Sequence, residues 1–108
     1  MENDLANSKE ISYICQRIKE CFDVEKLIVF GVKRREKDSS ITDVDICVIA
    51  KDIDDKKSWL KKAYLEIDSD IPYDLFLYTL NEWNDCIKQT KSFASRIERK
   101  GLVVYEKD

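Results

Sequence analysis

A chain of 108 residues with 44% apolar side chains is long enough for one packed core and too short for two. Its 19 basic and 22 acidic residues leave a net charge of −3, which argues against a dedicated nucleic-acid-coating protein. With no histidine, and with Cys15, Cys21, Cys47 and Cys86 forming no CxxC pair, the sequence argues against zinc sites and His-dependent catalysis. The cysteines are expected to be reduced thiols, Cys15 and Cys47 as small buried apolar groups. The acidic start and the lack of any apolar run near the roughly 18 residues of a membrane span predict a cytoplasmic protein without signal peptide or membrane contact.

In chain order, residues 8–22 read as an amphipathic helix, with Ile11, Ile14, Cys15, Ile18 and Phe22 at three- and four-residue steps. Asn7 and Glu10 have the spacing of a helix start. Leu27 to Phe30 is a short apolar run ending at Gly31, as in a strand buried on both faces. The basic stretch after it reads as a short helical turn, and Val44 to Ala50 as a second strand. Helical spacing returns over 53–67. Tyr73 to Tyr78 reads as a third strand opened by Pro72. Thr79 and Glu82 suggest a capping box for a helix around Trp83 to Lys88, and Phe93 to Arg99 is a further helical stretch. Gly101 ends it, before a last strand at Leu102 to Tyr105. The order α-β-α-β-α-β-α-α-β predicts a single α/β (α+β) domain over 1–108, with a small mixed sheet of about four strands and helices packed on it.

Chemistry concentrates in Thr42-Asp43-Val44-Asp45-Ile46. Aspartate is disfavoured in strands, yet two of them enter one that otherwise looks like core. Residues two apart point to the same face, about 6.6 Å apart along the chain. Asp74, near the start of another apolar strand, is the expected third member. A lone DxD or a lone Asp74 would be read as a solvated edge; three carboxylates, each opening an apolar strand, favour a site. Three oxygen donors without histidine or thiolate suit Mg2+ or Mn2+, and such a site suits phosphoryl or nucleotidyl transfer.

A strand ending in Gly31, a basic turn, Asp43 and Asp45 on the next strand, Asp74 on a third, and the closing Ile97-to-Tyr105 helix and strand together resemble the minimal nucleotidyltransferase family of the polymerase-β-like superfamily. The resemblance covers most of the chain and is densest from Leu27 to Asp45. It implies a nucleotidyltransferase-like fold with Asp43, Asp45 and Asp74 as catalytic metal ligands, and Gly31, Val32, Lys33, Arg34 and Arg35 lining the nucleotide phosphates. It also implies Mg2+ (or Mn2+) as cofactor, ATP or another nucleoside triphosphate as substrate, and AMP transfer to a hydroxyl. The expected acceptor is a partner helical toxin of the HEPN type, as in a toxin-antitoxin pair; the other expected partner is a second copy of this chain. Two positions depart from the family pattern: Val32 replaces its serine and Glu36 its second glycine. The alternative is therefore a catalytically impaired binding module, an antitoxin or scaffold acting by protein contact. Trp59 and Trp83 are the aromatics to watch at an interface, although packing is the simpler role for both.

Overall fold

The structure, a computed structural model, describes residues 8–108. The elements run α1 (Lys9–Cys21), β1 (Lys26–Arg34), β2 (Ile41–Ala50), α2 (Lys56–Glu66), β3 (Tyr73–Thr79), α3 (Leu80–Ile87), α4 (Phe93–Lys100) and β4 (Leu102–Glu106). The four strands form one mixed sheet in the order β3-β2-β1-β4. β2 and β3 are parallel, whereas β1 pairs antiparallel with both β2 and β4. This is the small α+β architecture expected from the sequence.

One expectation is overturned. No helical turn follows Gly31: β1 continues as a strand to Arg34 and turns directly into β2. The reason is pairing, since Val32 lies opposite Val44 and Lys33 opposite Asp43, so extension gains both ladder hydrogen bonds and an apolar cross-strand pair. The Arg35 N–H donates to the Ser40 carbonyl at 2.9 Å and the Ser39 N–H to the Arg35 carbonyl at 2.8 Å, closing the hairpin. Ser39 adopts φ 61° to do so, and the Asp38 carboxylate accepts from both the backbone and hydroxyl of Ser40.

Side chains alternate across the strands, giving the sheet two buried faces. Leu27, Val29, Val44, Ile46, Val48, Leu75 and Leu77 pack with Ile11, Ile14 and Ile18 of α1 and Ala63 of α2. Ile28, Cys47 and Ile49 pack with Trp83 of α3 and with Ala94 and Ile97 of α4. Both tryptophans are packing residues: Trp83 is buried, and Trp59 stacks on Phe22 at 3.9 Å between ring centroids. All four cysteines are free, and burial pushes the Cys15 and Cys47 thiols up, to about 11 and about 12. Among the described residues no helix is long and apolar enough to cross a membrane.

The helix ends explain the remaining boundaries. Asn7 lies outside the described residues; the cap of α1 is Ser8, whose hydroxyl accepts from the Ile11 N–H. Asp55 caps α2 by accepting from Lys57 and Ser58, so that helix starts at 56 rather than 53. The Thr79–Glu82 capping box of α3 is present in both directions, at 3.1 and 2.8 Å. Gly101 ends α4 without a left-handed conformation, at φ −81°. Its requirement is space: a Cβ there would run into Ile28 Cγ2 and lie 2.7 Å from the Ile97 carbonyl oxygen. Because a backbone carbonyl cannot swing aside, Gly101→Ala is expected to destabilise the protein by about 1–3 kcal/mol, measured by urea denaturation.

Candidate metal centre

The three predicted carboxylates meet. Asp43 and Asp45 occupy alternate positions of the central strand β2, and parallel pairing sets Asp45 directly opposite Asp74 at the start of β3. One carboxylate oxygen from each of Asp43, Asp45 and Asp74 lies within 4.8 Å of the others. A hard cation takes oxygens at about 2.0–2.6 Å, so ligands on opposite sides of one ion lie about 4–5 Å apart. The donor set therefore fits Mg2+ or Mn2+ in size and in chemistry.

β1 shapes the opposite wall. Its register slips between Val29, which faces Ile46, and Gly31, which faces Asp45, leaving Phe30 as the extra residue of a β-bulge. Such bulges re-aim side chains. Here Phe30 remains with the α3–α4 core while Gly31 still sits across from the acidic residue. A Cβ on Gly31 would lie 2.6 Å from Asp45 Oδ2, so the absent side chain is what gives that carboxylate its place. Regular pairing from Gly31 then carries Lys33 opposite Asp43, and a second slip, between Lys33 and Arg34, sets Arg34 opposite Ile41.

The electrostatics fit a cation site. Burial raises the Asp45 pKa above the usual aspartate range; the charges of Asp74 and Asp43 and a hydrogen bond with Asp74 raise it further, and Lys33 partly opposes them. Asp43 Oδ1 is buried and, among the described residues, has no hydrogen-bond partner. A buried carboxylate oxygen without a donor is costly, and a cation is one species that would satisfy it.

The five residues expected around the phosphates do not converge as a loop. Gly31 serves Asp45. Val32 points to the opposite face of the sheet, packed against the α1–α2 core. The Arg34 guanidinium donates to the Ser39 carbonyl at 2.8 Å, and Arg35 lies 4.0 Å from the Asp38 carboxylate, so both serve their own hairpin. Lys33 alone stands on the acidic side, exposed and without an ion pair among the described residues. Sequence reasoning missed the aromatic neighbours of this face. Phe30, Phe76 and Phe93, from β1, β3 and α4, meet with centroids 5.1–5.6 Å apart. Phe76 follows Asp74 by two residues, the same-face spacing of a strand, which was the available signal.

Two outcomes test the geometry. Gly31→Ala would crowd a side-chain oxygen rather than backbone, so its main effect is on ligation: Mn2+ affinity should fall by about tenfold or more with the fold retained, measured by calorimetric titration and circular dichroism. For Asp45, the raised folded pKa means that charging the group at neutral pH opposes folding. That penalty fades as pH falls toward the ordinary aspartate value. Asp45→Asn should therefore raise the melting temperature of the cation-free protein at pH 7, and the gain should vanish below about pH 4.

The chain matches no protein-family model and no curated protein sequence.

Proposed function

We propose that this chain is a metal-dependent nucleotidyltransferase that moves a nucleoside monophosphate, AMP from ATP in the first instance, onto a hydroxyl group. The observation that carries the reading is the meeting of Asp43, Asp45 and Asp74 from two strands. These three residues would hold Mg2+ or Mn2+, which when bound supplies Lewis acidity toward a triphosphate. Asp43 and Asp45, on the central strand, form the fixed part of the donor set. Asp74 is the exposed member of the three, and its carboxylate would take the proton of the incoming hydroxyl. As that proton leaves, the acceptor oxygen bonds to the α-phosphorus, the α–β anhydride bond breaks and pyrophosphate departs. The Lys33 ammonium, which has no ion pair among the described residues, would neutralise phosphate charge during approach.

The open, partly exposed site suits a macromolecular acceptor, and a hydroxyl on a helical partner protein of the HEPN type is the preferred one. Incubation with α-labelled ATP, Mg2+ and such a partner should place label on the partner. Asp43→Asn should reduce transfer by about a hundredfold or more. Absence of transfer from the wild-type protein, or transfer that survives Asp43→Asn, would defeat the proposal.

A second reading is favoured by one specific observation. Val32 is half-buried against the α1–α2 core, and Arg34 and Arg35 are engaged in their hairpin, so of the five residues expected at the phosphates only Lys33 stands beside the carboxylates. In this reading the chain is a binding module that holds its partner by surface contact. Partner affinity would then be the same for the wild type and for Asp43→Asn/Asp45→Asn/Asp74→Asn, and no nucleotide would be consumed.

A further inference from the structure

We propose that Tyr64 is a positioning residue for the acidic site, acting through the edge strand that carries Asp74; the inference rests on the cation-binding reading of that site. β3 is the outermost strand on its side of the sheet, hydrogen-bonded to β2 alone. N–H groups on its open side lack a ladder partner, and an edge strand is the easiest part of a sheet to loosen. Asp43 and Asp45 lie on β2, which is held on both sides, but Asp74 lies on this edge and is the most exposed of the three.

The chain fixes that edge with two tyrosines. The Leu75 N–H, next in sequence to Asp74, donates to the Tyr64 phenol oxygen of α2 at 2.8 Å. On the other side of Asp74, the Tyr73 hydroxyl donates to the carbonyl of Ile67, just past the end of α2, at 2.6 Å. The two rings stack at 5.3 Å with planes 28° apart. Both neighbours of Asp74 are thus tied to the C-terminal end of α2, one through the Tyr64 oxygen and one through the Tyr73 hydroxyl. Burial is the main influence raising the Tyr64 phenol pKa; the Leu75 N–H hydrogen bond opposes it, and the charges of Asp74 and Asp45 add to it. A carboxylate held in place loses less freedom on binding a cation, and groups that orient ligands in this way commonly govern affinity.

The test is Mn2+ titration of the full chain, as wild type, Tyr64→Phe, Tyr73→Phe and Leu65→Ala, at a temperature where circular dichroism shows each fully folded. Tyr64→Phe keeps the ring and removes only the oxygen. It should weaken Mn2+ binding about tenfold and speed hydrogen exchange at the Leu75 amide. Tyr73→Phe should act in the same direction, and Leu65→Ala, altering the exposed neighbour on α2, should not. Wild-type binding with unchanged affinity in Tyr64→Phe overturns this inference alone. Equal weakening in Leu65→Ala also overturns it, by reducing the effect to general loosening of α2. A wild-type protein that takes up no Mn2+ overturns the reading of the site itself.

Discussion

Parallel pairing between the central strand β2 and the edge strand β3 sets two aspartates side by side, and much of this structure accommodates that choice. The register Asp45 opposite Asp74, with Asp43 two residues earlier on the same face, gathers negative charge at one end of a sheet whose remainder is apolar. Folding alone gives no reason for it. The same positions filled with valine or threonine would pair better and repel nothing. The strain appears where physics puts it, in the raised pKa of Asp45 and in a buried Asp43 oxygen with no donor among the described residues. A sheet that keeps such a feature concentrates cost at one place, as binding and catalytic sites do.

The surroundings of the cluster limit that cost without removing it. Gly31 leaves room for the Asp45 carboxylate, and the bulge at Phe30 delivers that glycine to the right side while keeping Phe30 in the hydrophobic layer. Lys33 offers partial neutralisation from across the hairpin. Tyr64 and Tyr73 hold the edge strand from α2. These are four different devices, namely space, register, charge and tethering. They come from β1, from α2 and from β3 itself, and they act within a few residues of the same three side chains.

The hairpin after Gly31 decides how far the chemistry extends. An extended β1 turns Val32 against the α1–α2 core and engages Arg34 and Arg35 within the hairpin, where a helical turn would have offered amide N–H groups to phosphate. The two parts of the expected site therefore separate here: the three carboxylates meet, whereas of the five residues expected at the phosphates only Lys33 stands beside them among the described residues. The catalytic and the binding-module readings differ only in whether one lysine and the cation suffice for a triphosphate.

Local order was legible in the sequence. Short apolar runs and helical apolar spacing marked each element from α1 to β4, the Thr79–Glu82 box marked the start of α3, and Asp43, Asp45 and Asp74 stood out because aspartate is out of character in apolar strands. Gly101 was legible as an ending, but its spacing does not show why glycine is needed there, which is crowding against Ile28 and the Ile97 carbonyl. What the sequence alone determined was which segments become helix or strand and which residues carry unusual charge, because those depend on near neighbours along the chain. Only the tertiary structure decided that β1 runs on past Gly31, that its bulge turns Val32 away from the acids, and that Tyr64 reaches Leu75. Each of these is settled by pairing and hydrogen bonds between segments distant in sequence, and no local pattern encodes them.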